Sequence, residues 1–196
     1  MQTITKVFET YKQARNAVDA LEAAGIPMSE VSVLATREAG EQYGDFEESE
    51  ETTEAGAGVG VGAVVGGAAG LLTGLGVMAI PGLGPVVAAG WLASTALGAV
   101  AGGATGGIVG SLISSGVPEE HAHVYSEAVR RGGTLVSVQA EDHNVAMVHT
   151  ILNTFIPLDP VRQGATYRES GWATFDPTAG PYESTRTAAE REQPYI

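Results

Sequence analysis

Residues 58–74 read GVGVGAVVGGAAGLLTG and residues 80–85 read IPGLGP. Both lie in a run from Ala55 to Val117 that holds no Asp, Glu, Lys, Arg or His, yet carries most of the 27 glycines of this 196-residue chain. The glycines keep a four-residue interval at Gly58, Gly62, Gly66, Gly70 and Gly74. Beyond the Pro81–Pro85 break it returns at Gly90, Ser94, Gly98, Gly102, Gly106, Gly110 and Ser114. Four-residue spacing lays small residues along one side of a helix and lets two helix backbones approach closely. The spacing predicts a helical hairpin over 55–117, with arms Gly58–Ala79 and Pro85–Ser115 packed antiparallel through these helix-packing glycines.

Glycine opposes that hairpin in water, because each one inside a helix costs about 1 kcal/mol relative to alanine. Two surroundings supply the missing stability. In lipid an unpaired backbone is so costly that helix is nearly forced, and the first arm matches the roughly 20 residues of one crossing. Trp91 would then sit at an interface. In a packed core, the second arm or a second copy of the chain does the same. The acidic entry into the run and the weak apolarity of Gly and Ala count against lipid. Both surroundings stay open at this point.

The rest of the chain reads as two halves of an ordinary domain. Thr3–Phe8 is rich in β-branched and aromatic residues and predicts a strand. Thr10 is a fitting N-cap for a helix with Tyr11, Ala14, Val18, Leu21 and Ala24 on one face. Gly25 and Pro27 stop it, and Val31–Ala35 is a second short strand. Residues 37–54 form an acidic linker, with eight acids and no base from Glu38 onward. Pro118, Glu119 and Glu120 open a helix with Val124, Tyr125, Ala128 and Val129 inward; Arg130-Arg131-Gly132-Gly133 ends it. Thr134–Ala140 is a strand, and Asp142 is positioned to cap a last helix through Phe155. The tail over 157–196 shows no period and reads as irregular, with Trp172 and Phe175 as docking anchors. Joined, 1–36 and 118–156 predict an α+β fold: a small ferredoxin-like two-layer α/β sandwich, interrupted by the inserted glycine-zipper hairpin.

Composition narrows function by exclusion. A net charge of −13 with two lysines argues against nucleic acid. With no cysteine, thiol chemistry and disulfides are excluded. The first residues lack the apolar core of a secretory signal, which predicts a cytoplasmic protein. A phosphate-loop reading fails because the glycine run has no lysine. His121 and His123 are two apart on a helix and do not share a face. His143 and His149 read as surface or cap residues. No catalytic residue, metal site, cofactor or small-molecule substrate is expected, so the chain reads as a non-enzyme.

The order of parts resembles the bacterial general stress protein 17M-like domain family. Three stretches carry the resemblance: Val7-Phe8 through Ala14, Ala17, Leu21 and Gly25 to Val31-Ser32-Val33; the glycine run with its Ile80–Pro85 turn; and Val117-Pro118-Glu119-Glu120 through Tyr125 to Arg131–Val138. They span residues 1–155. The resemblance implies a stress-linked, non-enzymatic protein and brings no catalytic residues. The expected function is insertion into, or assembly at, the inner membrane with both flanks on the cytoplasmic side. The alternative is a homo-oligomer whose hairpins form a shared core.

Overall fold

The structure, a computed structural model, describes residues 1–41, 76–80, 82–92, 107–180 and 182. Its elements run β1 (Gln2–Phe8), α1 (Tyr11–Ala23), a 3-10 turn (Met28–Glu30), β2 (Val31–Thr36) and α2 (Arg37–Glu41). After these come β3 (Gly76–Ile80), β4 (Gly84–Ala89), α3 (Gly107–Ser114), α4 (Glu119–Arg130), β5 (Thr134–Ala140), α5 (Val145–Thr154) and α6 (Pro160–Glu169). The fold is mixed α+β around one antiparallel sheet of order β1-β5-β2-β4-β3.

Strands β1 and β2 are both antiparallel to β5, which lies between them, so they run parallel with one strand interposed. The α1 crossover therefore spans β5. Strand β4 adds to the far side of β2, pairing Val33 with Ala89 and Thr36 with Val86. Strand β3 is the outermost, pairing Gly76 with Ala88 and Ile80 with Gly84.

Period-2 alternation divides the core in two. Val31, Val33 and Ala35 of β2, with Val136 and Val138 of β5, face Ala14, Val18 and Leu21 of α1 and Val148 and Leu152 of α5. Leu34, Val86, Ala88 and Leu135 face Ile108 and Leu112 of α3 and Val124, Ala128 and Val129 of α4. Helices cover both faces, so the expected two layers are corrected to three. Every residue of β2 is buried, as a strand covered on both faces requires.

Local signals explain most elements. Thr10 Oγ1 accepts the Gln13 N–H at 3.2 Å, and Gln13 Oε1 accepts the Thr10 N–H at 3.1 Å, a reciprocal capping box at the start of α1. Thr10→Ala is expected to destabilise the domain by about 1 kcal/mol, checked by urea unfolding with an unchanged slope. Asp142 does not cap α5. Its carboxylate takes the Met1 ammonium at 2.9 Å, and the helix starts after Asn144 without a side-chain cap.

The tail is not irregular throughout. Asp159 caps α6 by accepting the Arg162 N–H at 2.9 Å, with Pro160 in the first turn. Leu158 N–H reaches the Val7 carbonyl at 2.7 Å, which ties this segment to β1. Beyond α6 the chain docks against the second core through Trp172 and Phe175, Phe175 being only 4% exposed. Both expected anchors therefore dock.

Candidate functional site

The glycine run departs from its reading at 76–80 and 84–89 and is helical, as expected, over Gly107–Ser114. A helical first arm through Ala79 and a single helix from Pro85 to Ser115 were expected. Instead 76–80 and 84–89 form a β-hairpin on the sheet edge, and the described helix of the second arm is at 91–92 and Gly107–Ser114. Leu83 N–H closes the turn on the Ile80 carbonyl at 3.0 Å with Gly82 at φ +81°. Pro at the second turn position and Gly at the third are the type II signature. Paired valines then favour strand over helix.

Of the helix-packing glycines, Gly58, Gly62, Gly66, Gly70, Gly74, Gly98, Gly102 and Gly106 lie outside the described residues. Gly110 lies in α3, where a methyl group would meet nothing within 4 Å among the described residues. Two glycines do permit close approach, both through the hairpin. A methyl group on Gly82 would lie 2.8 Å from the Asp176 carbonyl and from the Phe175 ring. On Gly90 it would lie 2.4 Å from the Val31 carbonyl. The hairpin is thus clamped at its turn by the C-terminal strap and at its base by β2. That gives Phe175-Asp176-Pro177 a structural role.

A polar cluster lies beside the clamp. Glu127, on the inner face of α4, is 1% exposed. Its carboxylate accepts Arg130 Nε at 2.8 Å and Nη2 at 2.7 Å, and Arg131 Nε at 2.6 Å. The three sit at i, i+3 and i+4 on one helix, so backbone geometry alone brings them together. Hydrogen bonding to Glu127 raises the Arg130 pKa above its ordinary value. The Tyr167 ring lies 4.2 Å from the Arg131 guanidinium, and Tyr182 reaches both arginines at 5.3 and 4.8 Å. Burial pushes the Tyr167 phenol up. Asp176, nearby, has its carboxyl held low by the Thr178 hydroxyl and N–H.

The cluster borders a cavity of about 300 Å³ lined by Thr36, Arg37, Glu38, Leu83, Pro85, Arg130 and Tyr182. These come from the end of β2, the start of α2, the hairpin turn, α4 and the strap. The sequence reading treated Arg130 and Arg131 as a helix end and did not single out Glu127. An acid on an otherwise apolar helix face, with arginines at i+3 and i+4, was the available signal.

His123 Nδ1 shares a 2.9 Å hydrogen bond with Thr174 Oγ1. His143 Nδ1 lies 3.3 Å from the Glu141 carboxylate. Among the described residues no group of three or more His, Asp or Glu is placed to hold a metal ion. No helix of the described residues is long and apolar enough to cross a membrane. No protein-family model, curated protein or solved structure matches the chain.

Proposed function

We propose that this protein is a non-enzymatic assembly module. Its α/β/α domain anchors the uncharged run, and copies of the chain associate through that run and the strand beside it. The observation that carries this reading is the position of β3. It is the outermost strand of the sheet, reads GVMAI, and holds neither a charge nor a proline. Exposed strand edges are usually blunted by Lys, Pro or a bulge, because unpaired N–H and C=O groups invite another chain. Among the described residues no strand pairs with the outer side of β3. A second copy supplies the same edge in antiparallel register.

The anchoring also bears on the membrane reading. With 76–92 and 107–114 engaged in the domain, the uncharged lengths between anchors are 55–75 and 93–106. The first is about one crossing's worth and the second is less than one. Each leaves from and returns to the same domain, and a two-pass hairpin needs twice the crossing length. These lengths favour association between copies over insertion. The stress-linked role implied by the family resemblance belongs to the proposal and rests on that resemblance alone.

Native mass spectrometry in plain buffer and in detergent, with carbonate washing of cell membranes, tests the reading. A defined oligomer in buffer, released by carbonate, is the expected result. Gly66→Leu with Gly102→Leu should shrink that oligomer while the domain still melts cooperatively. A monomer in buffer, or a species that survives only in detergent, sinks the proposal.

A further inference from the structure

The sheet has two edges, and the chain treats them differently. On β1, Lys6 sits within the strand and the Val7 carbonyl accepts the Leu158 N–H at 2.7 Å. That edge is blunted by a charge and by the backbone that follows α5. On β3, which reads GVMAI, there is no charge and no proline, and among the described residues no strand lies beyond it. The whole run from Ala55 to Val117 is uncharged. Two copies of a chain of net charge −13 therefore meet at this strand without setting like charges opposite each other.

Pro85 fixes which backbone groups of β3 point outward. In an antiparallel ladder, opposed residues alternate between pairs that exchange two N–H···O bonds and pairs that exchange none. Pro85 has no N–H to give, so its pair with Ala79 is one that exchanges none. The bonded pairs are then Met78 with Val86, Ile80 with Gly84 and Gly76 with Ala88. The N–H and C=O groups of Val77 and Ala79 therefore face away from β4, two donors and two acceptors on a strand of five residues.

We propose that two copies of the chain join their β3 edges antiparallel about a two-fold axis at Met78. This register rests on the assembly reading above and goes beyond it by naming which residues meet. With Met78 opposite its own copy, Val77 of each chain lies opposite Ala79 of the other. All the outward groups are then bonded across the axis. Moving the axis to Val77 or Ala79 keeps only that residue's own pair within Gly76–Ile80, half of the bonds. Placing it between two residues sets outward groups against residues whose own groups are turned to β4, and makes none. The edge is thus self-complementary in one register, as a two-fold interface requires.

The chain has no cysteine, so introduced cysteines report the register directly. Full-length Met78→Cys, Val77→Cys and Ala79→Cys are oxidised and their intact masses measured without reductant. Opposed residues of an unbonded pair lie about 4.5 Å apart at Cα, within disulfide range. Diagonal neighbours lie about 7–8 Å apart, beyond it. Met78→Cys should therefore give mostly cross-linked dimer. Val77→Cys and Ala79→Cys should each give little alone and a crossed dimer when mixed. Val77→Pro removes an outward N–H and none from the β3–β4 ladder; by symmetry it takes two of the four interchain bonds. The dimer dissociation constant should rise about tenfold or more, while the diluted chain melts as the parent does. Should Met78→Cys not fold, the mixture of Val77→Cys with Ala79→Cys decides alone. Equal cross-linking in all three variants, or more in Val77→Cys or Ala79→Cys alone, overturns the register. An oligomer in native mass spectrometry that none of the cysteines cross-links, or a Val77→Pro oligomer as tight as the parent's, overturns the β3 contact and leaves assembly through the glycine run standing. A monomer throughout overturns both.

Discussion

Gly90→Ala is expected to destabilise the domain by about 2–5 kcal/mol, the sum of backbone strain and overpacking. Gly90 has φ +88°, the left-handed region that costs a residue with a Cβ roughly 1–2 kcal/mol. It also follows Ala89, which pairs with Val33, so its Cα comes down over β2 beside Ser32. The added methyl would lie 2.4 Å from the Val31 carbonyl, 2.6 Å from Ser32 Oγ and 2.8 Å from Ser32 Cα. Two of those three atoms belong to the central strand's backbone and cannot swing away. Ser32 Oγ is committed as well, donating to the Ala89 carbonyl and accepting the Leu92 N–H, both at 2.9 Å. Relief requires β4 to lift from β2, which loosens the hairpin and the edge it presents. Gly116→Ala isolates the strain component, because Gly116 has φ +93° but open space around it. It should cost only about 1–2 kcal/mol. Thermal melts of the two variants decide the matter: comparable losses would show that close packing at Gly90 contributes nothing beyond strain.

The same comparison explains what the sequence disclosed. Elements whose signals are local were legible. The apolar face of α1 and its Thr10 cap, the Pro118-Glu119-Glu120 start of α4, and the strands at 2–8, 31–36 and 134–140 stand where periodicity and capping put them. The hairpin was misread because a four-residue glycine interval is a helix signal only if nothing interrupts it. Pro81-Gly82 and the Val86-Val87 pair interrupt it, and β4 gains a buried place beside β2 that no local count reveals. The layer number was likewise hidden. Leu34 amid Val31, Val33 and Ala35 is one apolar residue on the opposite face, and only the arrival of α3 and α4 there makes it core. Glu127 was missed for the reverse reason. Its inward position on α4 is plain from Val124 and Ala128, but an acid there is tolerated only because Arg130 and Arg131 follow at the next turn.

Glu127→Ala is the second large expectation, a loss of about 2–4 kcal/mol. Removing one member of a buried ion pair usually costs about 3–5 kcal/mol, since the other charge stays behind without compensation. The arginines here are 16% and 23% exposed, so water recovers part of the loss, which sets the lower range. Three charge-assisted hydrogen bonds go at once, all shorter than 2.9 Å. The two guanidinium groups, previously bridged by one carboxylate, then repel each other beneath Tyr182. Their disorder should release the strap, so the loss ought to appear as faster proteolysis after residue 170 before it appears in global unfolding. Glu127→Gln preserves volume but presents an amide N–H₂ to guanidinium donors, so it should rescue only part of the loss. In a double-mutant cycle, Glu127→Ala with Arg131→Ala should cost about 0.5–3 kcal/mol less than the two single changes together. Additive losses, or a Gln variant as stable as the parent, would mean that Glu127 fills space rather than ordering the arginine pair.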